Sequence, residues 1–532
     1  MKKKGFTLIE LLAVLTILAI ILLISFPLLN NTINTSKDNS RKNSINLYGK
    51  AIETAIADYY TENPEVGSVT LDELETGGYL KYKGNKVECN EVQIVHRNVY
   101  LNDCKVGKKY VDYTYGKVIP VPELAQGLTP IEYDGDKWVV ADSDSDTWYN
   151  YDKQRWANAV TLLPGVRKNI GDEVKVDGTE ASMMLVWIPR YEYKIEGDFG
   201  KGGQSADLPG EIEVNFIGKN KTTSTKGYHI HPAFNFDGEK SGFWVGKFEL
   251  SHETLSSNTT TNNLGCSSTN CTNASGLQIL PNKPALRYND ISNFWYGIKS
   301  IENTSTFGLT NIDTHMMKNS EWGAVAYLSQ SKYGKYGNSD YENKYKEVYQ
   351  NKSNNFITGS SNGIPSISST QKRNPQCLYD DMTNLEEDSN GYKMGQCGPG
   401  ASTTGNIYGV YDMSGGSYEY VMGAYGPEYP TTTSSGFENT VFTENVIESK
   451  YYDVYKMDNV EKACDNNKPC LGHALSETNG WYRDYSYMVN SSNPWFIRGG
   501  SINNNNNVGI FSFYNGAARE TVFSTRVVGF EK

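Results

Sequence analysis

The feature that most constrains this chain is at its start. Met1, Lys2, Lys3, Lys4 and Gly5 precede an apolar run from Phe6 to Leu29, interrupted only by Glu10 and a few small hydroxyl residues. From Leu11 to Leu29 there are 19 consecutive uncharged residues, about 28 Å as helix and enough to cross a hydrocarbon core. The basic flank predicts that Lys2 to Lys4 stay in the cytoplasm. A secretory signal would have a shorter apolar part with its small residue after it, whereas Gly5 comes before. The chain is therefore expected to be anchored by one pass in the cytoplasmic membrane, with its bulk outside the cytoplasm. A carboxylate in such a segment is costly, which marks Glu10 as functional.

The string M-K-K-K-G, followed by F-T-L-I-E-L-L-A-V-L-T-I-L-A-I-I, resembles the leader and first helix of type IV pilins and pseudopilins. The resemblance implies that 1–5 is a leader cut by a prepilin peptidase between Gly5 and Phe6, that the new amine is methylated, and that Glu10 pairs with the N-terminal amine of a neighbouring subunit. It also implies other pilin subunits and a pilus or secretion assembly machinery as partners, with a cell-surface or pilus location after processing. Pro27 falls where such helices kink. Ile45, Leu47, Ala51, Ile52, Ala55, Ile56 and Tyr59 then recur with helical spacing, so the helix is expected over 6–60, with Asn63-Pro64 stopping it. The string L-D-E-L-E-T-G-G-Y-L-K-Y-K-G reads as a short helix, a Gly-Gly turn and a strand. It opens a small head over 61–117, in which Cys89 and Cys104 bracket a strand pair.

Between 118 and 165 the composition shifts toward proline, tryptophan and aspartate, which reads as a linker or small β module. Asp134, Asp136, Asp142, Asp144 and Asp146 invite a calcium reading, but Thr147 stands where an EF-hand loop needs glycine and Lys153 where it needs the bidentate glutamate. A solvated acidic turn beside Trp138, Trp148 and Trp156 is the expectation.

From Met183 the sequence is turn-rich and strand-like, with one clear helix near K-N-S-E-W-G-A-V-A-Y-L-S. Five motifs occur in order: V-W-I-P, W-V-G-K-F-E, S-E-W-G-A-V-A-Y-L, Y-G-V-Y-D-M-S-G and R-G-G-S. Together they resemble the sulfatase-modifying, formylglycine-generating family, which implies a large C-type-lectin-like α/β domain over 183–532 with much irregular structure. The fold class expected for the whole is α+β and multidomain. The oxidases of that family attack with a cysteine pair near the C-terminus, and this chain has no cysteine after Cys470; no catalysis is expected. Of the six histidines only His229 and His231 are close in sequence, and no third ligand for a metal triad is evident. Family members hold calcium near D-M-x-G-N-x-x-E, which makes Asp412 and Glu419 calcium ligands by analogy. Gly416 stands in place of the asparagine, so the expected cofactor list is otherwise empty. Eight cysteines allow 105 pairings. The nearest-neighbour pattern pairs Cys89 with Cys104, Cys266 with Cys271, Cys377 with Cys397 and Cys464 with Cys470, as suits an exported domain. Zinc is the competing reading, although no pair has the two-residue spacing that structural zinc prefers.

After Arg498-Gly499-Gly500 come Ser501, the run Asn503, Asn504, Asn505, Asn506 and Asn507, and then Tyr514 and Asn515. Consecutive asparagines make poor helix or strand because their amides compete with the backbone, and amide, hydroxyl and phenol together are the palette of paratopes. The segment resembles the variable C-terminal region of retroelement-diversified lectin-fold proteins, with Arg526 matching a framework arginine and Thr525 replacing the usual aromatic. That implies a ligand-binding tip for a surface protein or glycan. With 61 acidic and 50 basic residues the net charge is −11, which argues against a nucleic-acid partner. The expectation is a surface-displayed minor or tip subunit with an adhesion or receptor role. A pseudopilin of a type II secretion or DNA-uptake machine, and an extracellular enzyme of the sulfatase-modifying fold, are the alternatives.

Overall fold

The structure is a computed structural model that describes residues 7–64, 66, 68–95, 97–201, 205–256, 262–267, 270–361, 377–426, 435–437, 447–455, 470–503 and 508–532, leaving aside the side chains of 24–30, 267 and 270. The chain divides into two compact units, Met1–Ile119 and Pro120–Lys532, and the whole is a mixed α+β protein.

The first unit is dominated by α1 (Leu8–Glu62), capped at its start by Thr7 and at its end by Asn63. The predicted stop at Asn63-Pro64 is therefore met, since proline disfavours helix in the residue before it. Every described side chain from Thr7 to Leu23 is exposed. Among the described residues no helix is long and apolar enough to cross a membrane; the expected span, 11–29, runs through 24–30, whose side chains lie outside those described. Further along, Ile45, Tyr48, Ile52, Ala55 and Ile56 form a buried stripe with helical spacing. Leu47 is not part of it, being 60% exposed, because two residues on from Ile45 is roughly 200° around the helix. Onto this stripe pack α2 (Leu71–Thr76) and an antiparallel sheet of β1 (Val87–Val95), β2 (Asn98–Val106) and β3 (Lys109–Val111). The strand expected in Y-L-K-Y-K-G does not form. Tyr82 instead meets Tyr48 edge-on at 5.1 Å, and Tyr79 meets Tyr59 at 5.2 Å.

The second unit is built on a seven-stranded sheet of β4 (Leu128–Tyr133), β5 (Trp138–Val140), β6 (Asn158–Leu162), β7 (Ala181–Pro189), β11 (Gly242–Gly246), β16 (Ile312–Met316) and β22 (Val527–Glu531), in the order β16-β22-β11-β7-β6-β4-β5. All nine residues of β7 are buried, as expected of a strand covered on both faces, whose sequence is a near-continuous apolar run. The segment 118–165 is thus not a joint. Its three strands form one flank of this sheet, with Ile131, Trp138, Ala159 and Val160 continuing the core and Trp148 and Trp156 buried. Its acidic residues sit in turns that cap themselves: the Asp136 and Lys137 amides donate to Asp134, and the Asp144 amide to Asp142. Smaller ladders join β8 (Tyr191–Lys194) to β9 (Glu213–Phe216) and β10 (His229–Ile230), β12 (Ser251–His252) to β15 (Leu277–Gln278), and β13 (Cys266–Ser267) to β14 (Asn270–Cys271).

Two α-helices lie in this unit among the described residues, α3 (Ile291–Lys299) and α4 (Asn319–Ser329). Every residue of α4, the helix predicted from S-E-W-G-A-V-A-Y-L, is buried. A second sheet consists of β17 (Tyr418–Tyr425), β18 (Asp453–Tyr455), β19 (Trp495–Arg498), β20 (Phe513–Gly516) and β21 (Phe523–Thr525). It includes Arg498 of R-G-G-S in β19, and Tyr514 and Asn515 of the expected tip in β20.

Candidate functional site

The C-terminal strand β20 pairs antiparallel with β19, placing Tyr514 opposite Ile497 and Asn515 opposite Phe496. On its free side runs Tyr485–Met488: the Phe513 amide donates to the Tyr485 carbonyl at 2.8 Å and the Tyr487 amide to the Phe513 carbonyl at 2.9 Å. Side chains alternate along extended backbone, so Tyr485 and Tyr487 point the same way as Tyr514, with Asp484 and Met488 inward. The Tyr514 ring lies 5.3 Å from Tyr487, 6.2 Å from Tyr485 and 6.4 Å from Tyr418. Tyr418 also packs edge-on against Phe523 at 5.7 Å. Tyr487 is 58% exposed and Tyr485 39%, so the surface is a contiguous tyrosine face with Tyr514 at its centre. Rigid aromatics of this kind supply contact area at low entropic cost and keep a hydroxyl for polar recognition.

The same alternation separates the residues expected at the tip. Tyr514 is half-buried on the outer face, whereas Asn515 points inward and donates from Nδ2 to the Met488 carbonyl at 2.7 Å. Ser501 is buried too; its hydroxyl accepts from the Asn503 amide at 3.3 Å and turns the chain into the loop. Asn503 is exposed, and Asn504, Asn505, Asn506 and Asn507 lie outside the described residues. Tyr485 and Tyr487 were missed from sequence, although the alternation in R-D-Y-S-Y-M was the available signal.

Behind this face the sequence motifs converge on a buried ionic network. Arg526 grips Glu419 with two bonds, Nε to Oε2 at 2.8 Å and a terminal nitrogen to Oε1 at 2.5 Å, and also donates to the Gly246 and Tyr411 carbonyls. Asp412 accepts from Asn351 Nδ2 at 2.9 Å and the Gly359 amide at 2.8 Å. Glu249, of W-V-G-K-F-E, accepts from the Ser417 amide at 2.7 Å. Burial, with Asp412 and Glu419 beside it, pushes the Glu249 carboxyl well above the usual carboxylate range. Gly416 follows from this arrangement: its φ is +68° and a Cβ there would meet Glu249 Oε1 at 2.4 Å. Protein donors already engage both oxygens of Glu419 and those of Asp412, so this pair does not fit the calcium role. Lys247 of the same motif is wholly buried, and its ammonium is satisfied by Asn158 Oδ1, the Ile407 carbonyl and the Gly409 carbonyl at 2.6–2.9 Å. These charged motif residues build the core.

The two neighbouring histidines are divided as well. His229 is exposed and His231 is buried, with Nδ1 accepting from the Ala233 amide. His473, distant in sequence, adjoins His231 electrostatically, and burial lowers the pKa of both. His473 Nδ1 bonds the Tyr455 hydroxyl at 2.5 Å. Nearby, Glu477 lines a cavity of about 540 Å³ together with Phe199 and Asp198. It accepts from the hydroxyls of Tyr193 and Tyr327 and from the Gly472 amide.

Cys89 bonds Cys104, Cys266 bonds Cys271 and Cys377 bonds Cys397, the first two pairs directly opposite each other across antiparallel strands. Cys470 is disulfide-bonded, and Cys464 lies outside the described residues. Among the described residues, one cluster of metal-ligating type is Cys377, Asp381 and Cys397, whose two sulfurs are joined to each other. Gly5 and Phe6 lie outside the described residues. Glu10 is exposed and closes a capping box with Thr7: its carboxylate accepts from the Thr7 amide and hydroxyl at 2.9 Å, and its own amide donates back at 3.3 Å. The T-x-x-E spacing in F-T-L-I-E was the sequence signal for it.

Residues 1–26 match the prokaryotic N-terminal methylation motif. No curated protein matches the chain. Among solved structures, Treponema denticola variable protein 1 aligns at 11% identity over 67% of this chain and 97% of its own, with a TM-score of 0.27, too low to indicate a shared fold. The N-terminal motif implies processing by a prepilin peptidase and handling by pilus assembly machinery, and it suggests a membrane-anchored, then surface- or pilus-exposed subunit.

Proposed function

We propose that the chain is a minor or tip subunit of pilin type whose large unit is a ligand-binding domain, with an adhesion or receptor role and no catalysis. The observation that carries the binding role is the tyrosine face of Tyr485, Tyr487 and Tyr514. A monomeric surface rarely clusters large aromatics without a partner. The membrane anchor rests on the apolar run and the methylation motif. The lectin-like character rests on the five ordered motifs, and the diversified character of the tip on the asparagine run. The ligand class that suits tyrosines with amides is a protein surface or a glycan.

The test is binding of the detergent-extracted chain to a glycan array and to intact cells, for the unaltered protein and for a variant with Tyr485, Tyr487 and Tyr514 all changed to Ser. Loss of binding with unchanged tryptophan fluorescence is the expected result. Binding that survives the triple change moves the ligand site elsewhere and removes the basis for this reading.

A further inference from the structure

The cavity beside Glu477 has no part in the tyrosine face. At about 540 Å³, it is of the size that holds small ligands. One wall is 195–199, with Ile195, Asp198 and Phe199, and the other is 476–479, with Ser476, Glu477 and Asn479. Three contacts hold the segments that carry these walls together. Trp481 Nε1 donates to the Asp198 carbonyl at 2.8 Å, the Tyr482 amide donates to the Ala206 carbonyl at 2.7 Å, and Arg483 grips Asp207 with two of its nitrogens. A pocket built in advance binds without a large ordering cost.

The charge of this cavity is one-sided. Glu477 and Asp198 line it, and among the described residues no lysine, arginine or histidine does. Neutral donors hold Glu477 in place. Its Oε2 accepts from the Gly472 amide at 2.6 Å, the Tyr193 hydroxyl at 2.9 Å and the Tyr327 hydroxyl at 3.1 Å. Among the described residues Oε1 accepts only from that same Tyr193 hydroxyl, at 2.9 Å. A tyrosine hydroxyl has one hydrogen to give, so Oε1 keeps the capacity to accept another donor. Burial raises the pKa of this carboxyl, because a charge withdrawn from water without a counter-ion is costly. A cation in the cavity would supply that counter-ion. Phe199 adds an aromatic surface, which attracts an ammonium, and Ser476 and Asn479 add oxygen acceptors.

We propose that this cavity binds a primary ammonium group, with Glu477 and Asp198 as its counter-ions and Phe199 as its aromatic wall. A lysine side chain of a partner protein and an amino sugar share that chemistry. The inference rests on the cavity and its one-sided charge, and it stands or falls separately from the tyrosine face.

The experiment is calorimetric titration of the full chain in detergent with Nα-acetyl-lysine amide and, separately, with glucosamine. The exposed His229, whose ring lies 6.0 Å from that of Tyr193, also acts electrostatically on Glu477, so the titrations are run at about pH 8, where an ordinary imidazole is neutral. Saturable binding of at least one amine is expected, with none of N-acetylglucosamine or of the Nε-acetylated lysine amide. Binding of the lysine amide alone identifies a protein partner, and binding of glucosamine alone an amino sugar. E477Q is expected to weaken binding about tenfold, as a charge-assisted bond becomes a neutral one. Asn479→Lys, at an exposed position, is expected to abolish it by placing a cation at the cavity without touching the bonds of Glu477, and it decides the matter if E477Q does not fold. The proposal is overturned if neither amine binds, if the acetylated controls bind as well as the amines, or if Asn479→Lys leaves the affinity unchanged.

Discussion

The first turns of α1 and the interior of the second unit each invert the usual distribution of polarity, in opposite directions. From Leu8 to Leu23 the helix exposes leucine, isoleucine and valine on every side, whereas the second unit buries Arg190, Lys247, Lys335, Arg498 and Arg526. An apolar surface all round a helix is costly in water, in keeping with the membrane anchoring that the N-terminal motif suggests. A buried charge must instead be answered inside the fold. The start of the helix leaves its apolar surface uncovered among the described residues of its own unit, whereas the large unit answers its charges internally.

The largest expected effect breaks the interior side of this comparison. Arg526→Met leaves Glu419 buried without its guanidinium and is expected to cost about 3–5 kcal/mol. Denaturant unfolding followed by tryptophan fluorescence reads this unit alone, because all tryptophans lie between Trp138 and Trp495. Next, Ile52→Ala in the buried stripe of α1 is expected to cost about 2–5 kcal/mol, and Leu47→Ala within about 0.5 kcal/mol, as read by hydrogen exchange at the β1–β2 amides. Equal effects would show that the helix face is misassigned.

A third test uses pH. Burial holds His231 and His473 below the usual imidazole value, so the unfolded chain binds their protons first as pH falls. Stability from these groups is present above about pH 6.5 and declines below it, by about 1.4 kcal/mol per pH unit for each histidine that must charge. His231→Phe is expected to flatten that decline in tryptophan-monitored unfolding, and an unchanged slope would locate the acid sensitivity elsewhere. The last change, Glu10→Ala, removes one arm of the capping box and acts on the isolated chain only at the first turn of α1. On the proposed function the same change is expected to leave cleavage and membrane insertion intact while excluding the subunit from fibres. Equal recovery in sheared fibres would contradict the pairing.

Local features were legible wherever local physics decides them. The helix stop at Asn63, the helix α4 and the acidic turns follow from neighbours a few residues apart, and the three described cysteine pairs close over 5 to 20 residues. The linker or small β module expected over 118–165 proved to be one flank of the large sheet, because a strand's sheet partners are distant in sequence. The residues β6 needs are in β7, and those of β4 cannot be told from a linker by composition. At the tip, adjacency in sequence put Tyr514 and Asn515 together, but strand alternation sends one out and the other in.

By itself, the sequence determined the basic, glycine-ended string Met1–Gly5 and the apolar run after it, because charge and hydrophobic length are properties of a contiguous stretch. Only the tertiary structure decided that Tyr485 and Tyr487 join Tyr514 in one face and that Glu249 claims the space over Gly416. Those outcomes depend on pairings between residues as far apart as Glu249 and Arg526, which no local pattern encodes.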